Sequence, residues 1–351
     1  MSSIKMSDVK YSTFDELVKH YRHRMEECSS LLENATIKIV SFLREDLETL
    51  LNLAELAVTI LHEETQENKQ DTPRLIEKWD KSRFSPKALT YHFNVIKDNL
   101  AKVDGYITHA RSEGIEIKLE EPIQTSSSDE TIFSFTFNVS AFKSEELQHA
   151  YNCLSDDDFL TKSPYEPKVE DPMQKINERE HIPHSFDLFV LYFKENSRES
   201  NKKFVISSAA SPTDSMAYTS VFTSQGETPF EFPGKPGKPL YVENSKTDSS
   251  LRLTLVPAAA GINFVTGFKV MIFEVGNLIR TMEVQKNEIE PNEFLVEDLK
   301  QGMEYSFKVQ SISLAGFSPK SAMSEKVTID SGVTFKSSRI IRLSSSTALE
   351  A

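Results

Sequence analysis

Cysteine is nearly absent from this chain of 351 residues, which contains only Cys28 and Cys153. The two lie far apart and neither has a neighbouring thiol, so the sequence predicts neither a disulfide framework nor a thiolate metal cage. Long apolar runs are also missing. Residues 47–61, the most apolar stretch, contain two glutamates and fall short of the roughly 20 residues that cross a bilayer. We therefore expect no direct membrane insertion and a fold that depends on packing alone.

Basic residues are fewer than acidic ones, and the N-terminal residues do not form an apolar leader. The formal net charge is −13, with a pI near 5.2, so the chain as a whole repels phosphate backbones and nucleic acid is not an expected partner. The first eight residues run directly into polar side chains, unlike a secretory signal. The expected location is cytoplasmic, and any release from the cell would follow a non-classical route.

Catalytic templates are incomplete as well. His62-Glu63 begins like a zinc-protease motif, but the second histidine would have to stand at position 66, which is Gln66. There is no glycine-rich phosphate loop of the GxxxxGK type and no GxSxG elbow. The sequence predicts no catalytic residues, no bound metal and no cofactor, and thus a protein that is not an enzyme.

Apolar residues with helical spacing dominate residues 1–120 and predict an antiparallel helical bundle. In one helix Leu89, Phe93 and Ile96 begin a pattern that continues to Ile107. Ser85-Pro86 predicts its start and Gly114 its end. We expect Trp79, the only tryptophan, to be a core anchor of the bundle.

The polar residues 121–130 show no period and predict a linker. Residues 131–232 mix strand and helix patterns, which predicts a small α/β domain. Its strands are expected at 131–138, 204–210 and 218–222, and its helices at 144–154 and around 185–196.

A second linker is predicted at residues 233–238, where prolines favour extended backbone. Short strands with alternating side chains follow in residues 239–330 and predict a β-sandwich. The last residues, 331–351, are rich in serine and are predicted to be a flexible tail.

The C-terminal pattern resembles a fibronectin type III domain, most clearly from Leu299 to Ser318. The resemblance implies that Tyr305 forms the corner of the sandwich and that Gly316 shapes the loop between the last two strands. Leu255 stands where the family usually has a tryptophan. Phe317 and Leu314, predicted at this loop, are the candidate partner-binding residues, with Phe317 displayed on the loop.

The first two thirds of the chain resemble stonustoxin-like fish proteins. The similarity lies in Glu77-Lys-Trp79, in Phe133-Ser-Phe-Thr-Phe137, in Phe186-Asp-Leu-Phe189 and in Phe232-Pro-Gly-Lys-Pro. This resemblance implies that residues 131–232 are thioredoxin-like. The perforin-like domain of those toxins has no counterpart here, so pore formation is not implied. A redox role would need a Cys-x-x-Cys pair after the first strand, where the chain has Ser140-Ala-Phe-Lys-Ser144.

The sequence is consistent with three functions. The leading hypothesis is a non-enzymatic adaptor that binds unidentified protein partners, with self-association through the helical region left open. The second is a toxin-related accessory protein, or a truncated paralogue, that acts beside a separate pore-forming chain. The third is a thiol-disulfide enzyme.

Overall fold

In the computed structural model of the protein, the chain forms two compact units, Met1–Glu231 and Phe232–Ala351. The structure describes residues 13–67, 76–77, 79–82, 84–119, 121–154, 172–196, 198–199, 201–212, 215–243, 245–286 and 293–329. The predicted tail at 331–351 lies outside these residues.

Three long helices open the first unit: α1 (Phe14–Leu32), α2 (Ser41–Glu67) and α3 (Pro86–Glu113), with a short 3₁₀ turn at Ile37–Ile39. Helix α3 begins and ends where the sequence predicts. The Ser85 hydroxyl accepts a hydrogen bond from the Ala88 amide at 3.2 Å, and Gly114 adopts φ 84°. Both features satisfy backbone groups that a helix end otherwise leaves unpaired.

Two consecutive buried hydrogen bonds link α1 to the segment that leads into α3. Trp79 is fully buried, and its indole Nε1 donates to the hydroxyl of Tyr21 on α1 at 2.8 Å. That hydroxyl donates to the Phe84 carbonyl at 2.6 Å, just before α3. Leaving a buried indole or phenol without a hydrogen-bond partner costs free energy of folding. The two bonds therefore fix how α1 packs against the segment that leads into α3.

The first sheet contains five strands: β1 (Glu116–Lys118), β2 (Thr131–Asn138), β3 (Lys202–Ala209), β4 (Ala217–Thr223) and β5 (Gly226–Pro229), in the order β1-β3-β2-β4-β5. The β1, β3 and β2 pairings are parallel, and β4 and β5 are antiparallel to their neighbours. Helices α4 (Val139–Phe142), α5 (Glu145–Leu154) and α6 (Pro172–Asn196) connect β2 to β3. Helix α6 extends the predicted helix at its N-terminal end and contains Pro183.

Alternation along β2 divides this sheet into an aromatic and a polar face. The ring of Phe135 meets that of Phe186 on α6 edge to face, with 5.2 Å between centroids, and lies 5.9 Å from the ring of Tyr106 on α3. On the opposite face the hydroxyls of Ser134, Thr136 and Ser207 form a closed triangle of hydrogen bonds, 2.7 to 2.9 Å long. Each hydroxyl can donate once around the ring, so the buried triangle satisfies its own donors.

The linker predicted at 121–130 does not separate two compact units in this structure. Strand β1 follows α3 directly and pairs with β3, and Tyr106 of α3 belongs to the aromatic cluster on the sheet. Within the linker, Glu130 pairs with Lys203 of β3 and accepts from the Ser126 hydroxyl at 2.8 Å. Lys203 and Ser126 hold the pKa of Glu130 down at about 2. The helices and the sheet therefore share one unit, Met1–Glu231.

The second unit consists of two antiparallel sheets. One contains β6 (Leu240–Tyr241), β7 (Leu251–Thr254) and β10 (Glu293–Val296), and the other contains β8 (Gly267–Glu274), β9 (Asn277–Gln285), β11 (Glu304–Ser313), β12 (Gly316–Phe317) and β13 (Val327–Thr328). Inward-facing side chains of both sheets form one core, which includes Leu255, Phe307 and Val309. The division between the units falls next to the linker predicted at 233–238.

Tyr305 fastens one corner of this sandwich. Its buried hydroxyl accepts a hydrogen bond from the Lys300 amide at 2.9 Å and donates to the Glu274 carboxylate at 3.2 Å. Gly316 begins β12 with φ 102°, a conformation that residues with a side chain rarely adopt. Leu255 is buried in the core at the position where the resemblance led us to expect a tryptophan in related domains.

Candidate functional site

A strained two-residue turn joins β8 to β9. Glu274 and Asn277 are paired, and between them Val275 has φ 48° and Gly276 has φ 84°. Such turns favour Asn-Gly, because both central residues need positive φ. A β-branched residue is unfavourable there, and the Val275 side chain is 63% exposed, so burial does not offset the strain.

An irregularity in the β8–β9 ladder exposes two further apolar residues. Arg280 lies opposite Ile272, whereas Leu278 lies opposite Phe273, so Ile279 is the extra residue of a β-bulge. In a regular strand, one of two consecutive side chains would face the core. Here Leu278 is 54% and Ile279 is 51% exposed.

We call Val275, Leu278 and Ile279 the hairpin patch. Among the large apolar side chains of the described residues, these three have the highest exposed fractions. Isolated exposed apolar residues are common, but three within five positions of one hairpin form a surface that water solvates poorly. The patch is therefore the candidate binding site of the second unit.

Charges beside the patch are paired with one another. Arg280 Nη1 lies 3.4 Å from an Asp298 carboxylate oxygen, and the same guanidinium donates to the Glu297 carbonyl. Lys300 Nζ lies 3.4 Å from the Glu274 carboxylate. These exposed pairs add little stability, but they hold the charged groups close to each other.

The two residues predicted to bind a partner, Leu314 and Phe317, differ in their exposure and in their position on the β11–β12 hairpin. Leu314 is 50% exposed in the turn between β11 and β12. Phe317 is not displayed on the loop as predicted, because it lies in β12 opposite Ile312 and is half-buried. The Lys269 ammonium sits 4.1 Å from the centre of the Phe317 ring, so that face of the ring is already occupied.

The sequence reasoning missed the hairpin patch. Its signals were present: Val275-Gly276 interrupts two strand patterns, and Leu278-Ile279 breaks the alternation expected of a strand with one buried face. A consecutive apolar pair does not reveal which side chain is buried, because that depends on the register with β8.

The first unit offers little reactive chemistry in the described region. Cys28 is fully buried, and burial raises the pKa of its thiol to about 12, so it is protonated at neutral pH. Cys153 lies on α5, but its side chain is outside the described part. Among described residues, no three His, Cys, Asp or Glu side chains are grouped as metal ligands, and no helix is long and apolar enough to span a membrane.

Residues 235–327 match the family model of the fibronectin type III domain. No curated protein compared with the chain matches it in sequence. Among solved structures, the chain is similar to the twitchin kinase region from C. elegans, with 23% identity over 30% of this chain and 18% of that one, at a TM-score of 0.26. A titin module from human cardiac muscle shares 28% identity over 30% of this chain and 99% of the module, at a TM-score of 0.25.

The stonustoxin structure aligns with 90% of this chain at 9% identity and a TM-score of 0.49, and the alignment spans 64% of the stonustoxin chain. The family match at 235–327 agrees with the two-sheet sandwich and with the corner formed by Tyr305. The second unit therefore contains a fibronectin type III domain.

Proposed function

We propose that this chain is a non-enzymatic interaction protein whose fibronectin type III domain binds a protein partner through the hairpin patch. The exposure of Val275, Leu278 and Ile279, all above half, is the observation that supports this most strongly. Burying such side chains against a partner removes apolar surface from water, at about 25 cal/mol for each Å².

The strain at Val275 supports the same proposal. A β-branched residue at positive φ costs about 1 to 2 kcal/mol relative to a residue suited to the turn. The side chain recovers little of that cost within the domain, because it is 63% exposed. An apolar contact with a partner would bury the Val275 side chain and so offset the backbone strain.

The proposal can be tested with the full chain immobilised and exposed to extract from its source organism. A Leu278→Ser, Ile279→Thr double variant should lose the specifically captured protein, whereas Leu240→Ser should retain it. Leu240 is a matched control because it is 49% exposed and lies on the other sheet. Equal capture by the wild-type chain and the double variant would refute the patch as a binding site.

We propose further that the first unit joins an antiparallel helical bundle to a thioredoxin-like scaffold without redox activity. The mixed order β1-β3-β2-β4-β5 supports the scaffold. After β2 the chain has Ser140 on α4 and Ser144 just before α5 in place of a cysteine pair, and Cys28 is buried. Disulfide-reduction activity that disappears in a Cys28→Ser variant would contradict this proposal.

The relation to stonustoxin-like proteins, and with it an accessory role beside a pore-forming chain, remains a hypothesis based on the sequence motifs. We expect the purified chain not to release dye from liposomes. Release without an added protein would make the toxin-related hypothesis the better one. Sedimentation velocity of the same sample would test self-association through the helical region.

A further inference from the structure

The last residue that the structure describes, Ile329, lies at the same end of the sandwich as the β8–β9 turn. The Ile329 amide donates to the Met303 carbonyl at 3.1 Å, and the Val275 amide donates to the Glu304 carbonyl at 3.0 Å. These two acceptors are consecutive, and the two bonds reach them from opposite sides, since β13 and β8 flank β11. Two strand spacings therefore separate Ile329 from Val275, which amounts to about 10 Å.

The chain beyond Ile329 starts within reach of the hairpin patch. Strands β13 and β8 are both antiparallel to β11, so they run in the same direction and leave the sheet at the same end. A residue spans at most roughly 3.6 Å, so the six residues from Ile329 to Phe335 can bridge up to about 20 Å. That length exceeds the separation between Ile329 and the turn.

The predicted tail, residues 331–351, has apolar side chains in its first half. Residues 333–343 contain three basic residues, no acidic residue and five large apolar ones, which are Val333, Phe335, Ile340, Ile341 and Leu343. Such side chains gain free energy when they leave water for an apolar surface, at about 25 cal/mol for each Å². The hairpin patch is a surface of that kind at the point where the tail begins.

The turn between β11 and β12 is a less suitable surface for the same segment. Its Leu314 is 50% exposed, close to the values for Leu278 and Ile279. However, Leu314 follows Glu304 by the whole length of β11, which spans about 30 Å. Phe335 cannot reach that far, so distance favours the hairpin patch.

Charge neither favours nor opposes the tail as an occupant. The charged side chains around the patch and β13 form three pairs of opposite sign: Arg280 with Asp298, Lys300 with Glu274, and Lys326 with Glu304. Each cation is balanced by a carboxylate, so the three basic residues of the tail meet no strong attraction or repulsion there. The contact would therefore be apolar.

Resting on the proposed function, we infer that the tail covers the hairpin patch of its own chain, with Phe335 and the Ile340-Ile341 pair in contact with it, and that a protein partner displaces the tail. A short tether keeps the segment at an effective concentration on the order of millimolar. The affinity for the partner is then reduced by the fraction of chains in which the patch is covered.

The test uses a fluorescein-labelled peptide of residues 331–345 and full-length chains, with binding measured by fluorescence anisotropy. A Phe335→Ser, Ile341→Ser chain, which keeps the three cations of its tail, should bind the peptide about tenfold more tightly than the wild-type chain, whose own tail competes. Adding Leu278→Ser and Ile279→Thr should abolish this binding. Adding Leu314→Ser, at a side chain of similar exposure, should leave it unchanged.

Three results would overturn the inference. The first is equal affinity of the peptide for the wild-type and the Phe335→Ser, Ile341→Ser chains. The second is undiminished binding of a peptide that carries these two changes, because the basic residues would then be attracted to the acidic chain, whose net charge is −13. The third is a wild-type dimer in sedimentation velocity that the two changes dissociate, because the tail would then bind a second copy.

Capture of a partner from extract separates this inference from the proposed function. The Phe335→Ser, Ile341→Ser chain should capture more partner than the wild-type chain. Unchanged capture by that chain, with capture lost in the Leu278→Ser, Ile279→Thr variant, would keep the patch as the partner site and reject the tail contact. Peptide binding that depends on the patch, with partner capture that does not, would keep the tail contact and reject the proposed function.

Discussion

The two units of the chain distribute charge and apolar surface differently. Residues 1–231 contain 26 Lys and Arg against 40 Asp and Glu, a net charge of −14, whereas residues 232–351 contain 14 against 13. Of the eleven exposed large apolar side chains in the described part, eight belong to the second unit. The first unit is therefore acidic with a buried aromatic core, and the second is nearly neutral with apolar groups displayed.

This difference bears on where binding is expected. A neutral surface with exposed apolar side chains can approach a partner without strong long-range repulsion, and contact then removes the apolar groups from water. The acidic unit would instead favour the approach of a basic partner in a salt-dependent manner. We therefore expect the second unit to provide short-range affinity for a partner and the first unit to provide long-range electrostatic attraction.

The largest expected effect comes from the aromatic core of the first unit. Phe135 is fully buried and lies 6.0 Å from Phe189, measured between ring centroids, in addition to its contacts with Phe186 and Tyr106. Phe135→Ala should reduce the free energy of unfolding of this unit by about 3 to 5 kcal/mol. Differential scanning calorimetry of the full chain should show one lowered transition and one unchanged transition.

Phe307→Ala is the matched variant for the second unit, because Phe307 is fully buried in the sandwich core. It should lower only the other transition. A single transition that both variants shift would show that the units do not unfold independently. Limited proteolysis would add to this result, since cleavage within residues 233–238 should precede cleavage within residues 121–130 if the latter belong to the first unit.

A smaller effect is expected at the corner of the sandwich. Tyr305→Phe should destabilise the second unit by about 0.5 to 1.5 kcal/mol, because it removes the hydroxyl that joins Lys300 and Glu274. Differential scanning calorimetry of the full chain would measure the change in the transition of the second unit, since Trp79, the only tryptophan of the sequence, belongs to the first unit. Tyr241→Phe, at a half-buried tyrosine beside the core, should be nearly neutral, and an equal loss in both variants would contradict the special role of the corner.

Unlike the variants above, a substitution that relieves the strain in the β8–β9 turn should raise the stability of the second unit. Val275→Asn is expected to raise the stability of the second unit by about 1 kcal/mol, because asparagine tolerates positive φ better than valine. The same variant should capture less of the partner protein from extract, since it removes an apolar side chain from the hairpin patch. A gain in stability without loss of binding would show that Val275 does not contact the partner.

The smallest expected effect depends on pH and concerns the first unit. Burial raises the pKa of Asp46 from 3.8 to about 6, although its carboxylate accepts from the Ser144 amide at 3.1 Å and Lys143 lies nearby. A raised carboxyl pKa adds stability below pH 4, which is lost as pH rises through 6. Asp46→Asn should therefore become increasingly stabilising relative to wild type between pH 4 and pH 6.5.

Glu130 provides the contrasting measurement in the same unit. Its pKa is lowered from 4.5 to about 2, so its stabilising contribution is present above pH 4.5 and is lost as pH falls toward 2. Glu130→Gln should be destabilising at neutral pH, and the difference should shrink in acid. Parallel pH profiles for the two variants would contradict the opposite shifts.

Several local features were predictable because they depend on residues close in sequence. The start of α3 follows from the Ser85 side chain and Pro86, and its end follows from Gly114, the residue type that adopts positive φ at least cost. Strand β2 occupies the predicted residues 131–138, since alternating β-formers already specify an extended segment. The corner role of Tyr305 was implied by the resemblance to fibronectin type III domains, and the amide that its hydroxyl accepts from belongs to Lys300, five residues away.

Other features depended on contacts between distant residues. The three residues of β1 carry no strong strand signal, and they become a strand because β3, almost ninety positions later, supplies their hydrogen-bond partners. The packing of Tyr106 against Phe135 places a helix and a sheet in one unit although a polar segment separates them in sequence.

Local alternation and capping determined the helices, the main strands and the β-sandwich, because they act through backbone groups within a few residues of one another. The surface that we propose for binding was decided by tertiary structure. The register between β8 and β9 leaves Leu278 and Ile279 both outside the core, and the Lys269 ammonium covers one face of the Phe317 ring. Exposure and such contacts are properties of three-dimensional neighbours, and the order of residues along one strand does not specify them.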